Sequence, residues 1–147
     1  MKLQVALFKH PTGIVRRLIR WQTDSIYSHA ALLFNDTWLF EADFDGVAES
    51  RITDFRNVDV FDAENITEEQ KAVIYEFAKS QEGKKYDWWG VLRFISRDKL
   101  PENDRWFCSE LVFAAFKAAE IELLERVEPW QVSPGMLARS PILTPIG

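Results

Sequence analysis

The chain has one cysteine and two histidines among its 147 residues. A single thiol permits no internal disulfide, and one thiol with two imidazoles makes no workable zinc set, so neither a metal nor a cofactor is expected. Blocks of like charge are missing as well. The net charge of −5 is spread along the chain, which removes the general case for nucleic-acid binding. No apolar run has the length of a secretion signal or a membrane span, and the N-terminal stretch Met1-Lys2-Leu3-Gln4-Val5-Ala6-Leu7-Phe8-Lys9 is far too short for either. The expected setting is therefore a reducing one, the cytoplasm by default, although a phage-encoded or lysis-delivered protein fits equally. In that setting the sequons Asn35-Asp36-Thr37 and Asn65-Ile66-Thr67 carry no glycan. Repeats, low-complexity tracts and linkers are absent too. One domain spanning 1–147 is the expectation, and 47% hydrophobic residues suffice for its core.

What is present gathers around Arg105-Trp106-Phe107-Cys108-Ser109-Glu110-Leu111-Val112 and the helix this stretch opens. Leu111, Val112, Ala115, Phe116 and Ala119 follow Cys108 at the offsets of an amphipathic stripe, and Cys108 lies on that stripe. Spacing alone makes it a small buried hydrophobe. Position points the other way. The first turn of a helix carries unpaired N–H groups and the positive end of the dipole, which favour a thiolate over a thiol. A nucleophilic cysteine needs that help, being mostly protonated at neutral pH otherwise.

Upstream, residues 3–8 read as a strand, closed by the turn cluster His10-Pro11-Thr12-Gly13, which makes His10 a loop residue. Residues 14–21 are helical in pattern, with Ile14, Val15, Leu18 and Ile19 on one face and Arg16, Arg17 and Arg20 on the other. Three arginines with no acidic partner nearby make either a solvated face or a contact for an anionic substrate or a membrane surface. A hairpin follows, Tyr27-Ser28-His29-Ala30-Ala31-Leu32-Leu33-Phe34 and Trp38-Leu39-Phe40-Glu41-Ala42-Asp43. A two-residue turn would put His29 and Glu41 on opposite faces. A three-residue loop, 35–37, pairs Phe34 with Trp38, Leu33 with Leu39 and Leu32 with Phe40, matching apolar with apolar. That register pairs Ala31 with Glu41 and gathers His29, Glu41 and Asp43 on one face, with Asp43 directly opposite His29.

Residues 47–52 and 57–61 offer two more strands. A helix begins after Thr67, capped with Gln70 three residues on, and shows Val73, Ile74, Phe77 and Ala78 as its inner face. Tyr86-Asp87-Trp88-Trp89-Gly90-Val91-Leu92-Arg93-Phe94 reads as a further, aromatic-rich helical stretch forming core or cleft wall. Residues 100–104 are a loop. Ser133-Pro134-Gly135 caps a short helix with proline at its first position, and residues 141–147 supply a last strand.

The order of these parts, a strand histidine, a polar residue on the next strand and a cysteine opening a late helix, resembles a known pattern. It is similar to the circularly permuted branch of the NlpC-type papain-like fold, the YiiX/YaeF-type amidases, with lecithin–retinol acyltransferase-like enzymes as relatives. The likeness rests on Leu18-Ile19-Arg20-Trp21 leading to Tyr27-Ser28-His29-Ala30, on Phe40-Glu41-Ala42, on Lys85-Tyr86-Asp87 with Gly90, on Trp106-Phe107-Cys108-Ser109-Glu110-Leu111-Val112, and on Val132-Ser133-Pro134-Gly135. It runs from about residue 14 to residue 138. The resemblance implies an α+β fold, an antiparallel sheet of about five or six strands packed against helices. It implies a cysteine hydrolase or acyltransferase acting on an amide or ester through a Cys108 thioester. His29 would be the base and Glu41 the residue orienting it, with Asp43 the rival for that third role. The backbone N–H of Cys108 and the Tyr27 hydroxyl are candidates for the oxyanion. Arg16, Arg17, Arg20, Tyr86 and Trp106 are candidate contacts for a small-molecule, peptide or lipid-derived acyl substrate. The alternative function is a binding module that keeps the same aromatic cleft and performs no chemistry.

Overall fold

Short apolar strands joined by brief polar turns recur from residue 29 to residue 63, and with residues 3–8 they become the sheet. In chain order the elements are β1 (Leu3–Phe8), β2 (His29–Phe34), β3 (Trp38–Asp43), β4 (Gly46–Arg51), β5 (Val58–Ala63), α1 (Glu68–Ser80), β6 (Lys85–Tyr86), β7 (Arg105–Trp106), α2 (Cys108–Ala118), a 3-10 turn (Pro129–Gln131), α3 (Pro134–Leu137) and β8 (Leu143–Pro145). The computed structural model describes residues 1–9, 20, 25–43, 45–86 and 105–146, with only the backbone described at 86, 105 and 106. The expected turn at His10, most of the arginine helix, the helical stretch from 87 onward and the loop 100–104 lie outside those residues; Arg20 lies within them and is helical.

Six strands form one sheet in the order β4-β3-β2-β1-β5-β8, every pairing antiparallel. The class is therefore α+β. All six residues of β1 and all six of β2 are buried, because the two are central strands covered on both faces. Even Gln4 is inside, its amide donating to Asp62 Oδ1 at 2.8 Å on β5. A buried amide left without such a partner would cost about 1–3 kcal/mol.

Leu3, Val5, Leu7, Ala30, Leu32, Phe34 and Phe40 make the sheet's share of the larger core, packed against Ile74 and Ala78 of α1 and Val112, Phe113, Ala115 and Phe116 of α2. Phe34, Phe40 and Tyr75 meet edge to face, with ring centroids 5.2 to 5.8 Å apart, the arrangement that ring quadrupoles favour. The cap of α1 is as expected: Thr67 accepts from the Gln70 N–H, and the Gln70 side chain accepts from the Thr67 N–H. Its inner face is corrected in one place. Val73 is 43% exposed, while Tyr75 takes the inward position against Phe34 and Phe40. The Phe34 and Phe40 rings close on the Tyr75 side of the Ile74–Ala78 stripe and leave Val73 on the open side.

The second correction concerns Lys85–Tyr86. These residues form a two-residue strand running parallel to Arg105–Trp106, not the opening of a helix. The chain turns at Gly83 (φ +85°) and is tied to β4, with Lys84 C=O accepting from the Val47 N–H at 2.8 Å. Gly46 makes that approach feasible, since a Cβ there would lie 2.6 Å from the Lys84 oxygen, and its φ of +106° excludes most side chains. Among the described residues, no helix is long and apolar enough to cross a membrane.

Candidate active site

The hairpin joining β2 to β3 decides what His29 meets. Asn35 and Asp36 both adopt positive φ, and the Thr37 N–H donates to the Phe34 carbonyl at 3.4 Å. Thr37 is nonetheless an extra residue, its carbonyl accepting from Ile52 N–H beyond β4. The ladder therefore starts at Phe34–Trp38 and continues through Leu33–Leu39 and Leu32–Phe40, the three-residue register. His29 and Glu41 fall on one side of the sheet, and His29 Nε2 lies 2.7 Å from Glu41 Oε2. Asp43 belongs to the same cluster, with ligand atoms of all three residues within 4.8 Å of one another. The carboxylate that holds the imidazole is Glu41's. The far oxygen of Glu41 has a donor of its own: Ser50 Oγ on β4, at 3.2 Å. Sequence pattern did not single out Ser50, because a lone serine on an edge strand looks like any solvated residue.

Helix α2 supplies the thiol. It packs on the Ala30, Leu32 and Phe40 side of the sheet, and its stripe of Leu111, Val112, Ala115 and Phe116 is buried as the offsets require. Cys108 is its first residue and only 1% exposed. The cap residue is Phe107, which offers no oxygen to the first-turn N–H groups. The N-terminal end of α2 meets the start of β2, where the Cys108 sulfur is a hydrogen-bonding neighbour of His29. Glu41 occupies Nε2, so Nδ1 is the nitrogen left for the sulfur.

Charge follows from this placement. Burial of His29 (4% exposed) disfavours the cation, but hydrogen bonds and charge attraction from Cys108 and Glu41 outweigh it and push its pKa up to about 10. The ligand atoms of His29, Glu41 and Asp43 are close enough together to hold a metal ion, a role that requires the imidazole in its neutral form. The Phe8 ring tilts against the imidazole, centroids 5.2 Å apart, and fixes the ring from its other side.

Two further contacts set the strand's entry. Tyr27 Oη donates to Asp59 Oδ2 at 2.6 Å, and Lys9 Nζ donates to Asp59 Oδ1 at 3.0 Å. Burial and the Asp59 carboxylate raise the Tyr27 pKa to about 12; Tyr27 and Lys9 in turn hold Asp59 below the usual carboxylate range. The one hydroxyl proton of Tyr27 thus goes to Asp59, so Tyr27 acts here as an anchor of the residues before His29, in place of the oxyanion donor expected from sequence. Of the candidate substrate contacts, Tyr86 and Trp106 become ladder partners in β6 and β7, Trp106 just ahead of the α2 cap. Arg16 and Arg17 lie outside the described residues.

The far side is closed by the Val132-Ser133-Pro134-Gly135 stretch. Ser109 Oγ, fully buried, donates to the Val132 carbonyl at 2.6 Å, and Ser133 caps α3. Gly135 abuts Ser25, so that a Cβ there would overlap both Ser25 Oγ and Ser25 Cβ. Ser25 Oγ accepts from the Tyr27 N–H at 3.1 Å. One continuous brace thus joins the cysteine helix to the segment that delivers His29. Alanine at Gly135 must displace the Ser25 backbone, and overpacking of this kind costs about 1–3 kcal/mol. We expect Gly135→Ala to lower the melting temperature and slow Cys108 alkylation, with Ser25→Gly relieving the clash and recovering the melting temperature; a double variant no more stable than Gly135→Ala would break the link.

The sequence matches no protein-family model and no curated protein.

Proposed function

We propose that this chain is a metal-independent cysteine hydrolase or acyltransferase of the permuted papain-like kind, with Cys108 as nucleophile, His29 as base and Glu41 as the group that orients His29. The observation that carries the reading is the unbroken line Glu41–His29–Cys108, assembled from two strands and a helix start. Any buried histidine takes a hydrogen-bond partner, but a carboxylate on one side of the ring at 2.7 Å and a thiol on the other is the set that a thiol nucleophile needs. The antiparallel sheet with the cysteine at a helix N-terminus supports the fold assignment on the same terms.

In this mechanism Nδ1 of His29 already holds the proton drawn from the sulfur, and the Cys108 thiolate attacks the substrate carbonyl carbon. The resulting oxyanion lies within reach of first-turn N–H groups, foremost that of Cys108, which the phenylalanine cap does not consume. Collapse of the tetrahedral species breaks the bond to the amine or alcohol, which leaves with the proton from Nδ1. Water, or a second acceptor, then loses a proton to His29 and attacks the thioester, and Cys108 is released. Glu41 stays ionised throughout and keeps Nε2 protonated.

The rival, a binding module with the same cleft, draws on the 1% exposure of Cys108. Iodoacetamide separates the two. Single-site alkylation of folded protein well below pH 8 is the expected result, since a paired thiolate reacts where an ordinary thiol does not. Modification only after denaturation would return Cys108 to the core and leave the binding module standing. Activity unaffected by EDTA is expected in parallel, and its loss on chelation would reopen the His29–Glu41–Asp43 cluster as a metal site.

A further inference from the structure

We propose that Ser50 is a positioning residue of the same site, holding the Glu41 carboxylate in the plane that serves His29. The inference rests on the nucleophile reading above and deepens it. Its basis is register. Leu39 pairs with Ser50 and Glu41 with Ala48 across β3 and β4, and directly paired residues point to the same face. Ser50 therefore stands on the face of Leu39 and Glu41, as the diagonal neighbour of Glu41, at a separation a carboxylate side chain spans. The hydroxyl donates to Oε1 at 3.2 Å while Oε2 faces the imidazole at 2.7 Å. The last torsion of a glutamate is broad and roughly two-fold. A contact on one oxygen lets the carboxylate rock about that torsion, and contacts on both oxygens stop it.

Charge points the same way. A hydroxyl that donates to a carboxylate favours its ionised form, and an ionised Glu41 keeps the proton on Nε2, leaving Nδ1 as the nitrogen that exchanges protons with sulfur. Asp43 lies in the same cluster, within 4.8 Å, so a Glu41 that swings has a like charge to avoid as well as a hydrogen bond to lose. Ser50 touches neither sulfur nor imidazole in this arrangement and acts through Glu41.

The test uses Ser50→Ala, Ser50→Thr and Glu41→Gln in the full chain. Ser50→Ala is expected to slow Cys108 alkylation at pH 7 by about 3- to 10-fold, the loss of one hydrogen bond to a charged group. Ser50→Thr keeps a hydroxyl on a strand that tolerates branching and is expected to restore the wild-type rate. In a Glu41→Gln background Ser50→Ala is expected to add little, since both changes act through one carboxylate. The spectroscopic counterpart is the low-field proton resonance of His29 Nε2–H. With two histidines in the chain, His10→Ala assigns it, and Ser50→Ala is expected to move or broaden it with no change in melting temperature large enough to account for the effect.

Unchanged alkylation and an unchanged resonance in Ser50→Ala would overturn the proposal, as would Ser50→Thr behaving like alanine. An inert Cys108 in folded wild-type protein is a different failure. It removes the nucleophile, while the His29 resonance still reports whether Ser50 holds Glu41.

Discussion

His29→Ala should slow alkylation of Cys108 at pH 7 by about 100-fold or more, the scale at which a positioned base acts. The imidazole is the group beside the sulfur that can take its proton, and alanine offers no replacement for it. Glu41→Gln should slow the reaction less, since the ring stays and only its orientation and proton placement suffer. Asp43→Asn should do less again; a larger effect at Asp43 than at Glu41 would reassign the third residue. His10→Ala should do almost nothing. The same pair predicts how stability responds to pH. The pKa of His29 is raised from 6.5 to about 10 on folding, so folding is favoured in full below pH 6.5 and that contribution is lost as pH climbs through about 10. Chemical denaturation across this window should show wild type losing stability that His29→Ala never had. Parallel pH profiles for the two proteins would contradict the pairing.

Cys108→Ala should abolish turnover, at least about 10⁴-fold, and with it a covalent acyl adduct seen by intact mass. Wild-type protein incubated with activated esters, peptide amides and phospholipid-like esters should gain the acyl mass at Cys108 for whichever class it accepts. The adduct should persist longest in His29→Ala, because the residue that promotes its formation also activates the water that removes it. Rapid deacylation hides an adduct, so released product is followed alongside. Ready alkylation of Cys108 with neither adduct nor product across the panel would favour the binding module.

Much of the scaffold was legible because it obeys short-range rules. β1 and β3 are uninterrupted by turn residues, α1 declares itself through Thr67 and Gln70, and α2 through the period of its buried stripe. The hairpin register was legible for a different reason: with Leu32, Leu33 and Phe34 facing Phe40, Leu39 and Trp38, a slip of one residue would expose a whole apolar face. That register placed His29 on one face with Glu41 and Asp43, directly opposite Asp43. The choice of Glu41 came from the resemblance, and the side-chain contact at 2.7 Å is a matter of the three-dimensional arrangement. What stayed hidden was set by tertiary partners. Lys85–Tyr86 is a strand only because Arg105–Trp106 runs beside it, and two residues show no alternation. Val73 matches the helix period as well as Tyr75 does, and only the Phe34–Phe40 pair chooses between them. The proximity of sulfur and imidazole, the Tyr27 hydroxyl turning to Asp59 and the Ser25–Gly135 contact join residues far apart in the chain, which no local pattern reports.

The brace and the hairpin also impose a timetable. His29 and Glu41 share a tight hairpin, so closing them together carries a small entropic cost and they can meet early in folding. Cys108 arrives only when α2 docks across a much longer loop, and its seat is completed later still, when Val132 accepts the Ser109 hydroxyl and Gly135 settles against Ser25. Until then the imidazole and the carboxylate can pair without the thiol. On the reading proposed above, an unfolded copy of this chain lacks the imidazole beside its sulfur, and alkylation of Cys108 should quicken only as the last native contacts form.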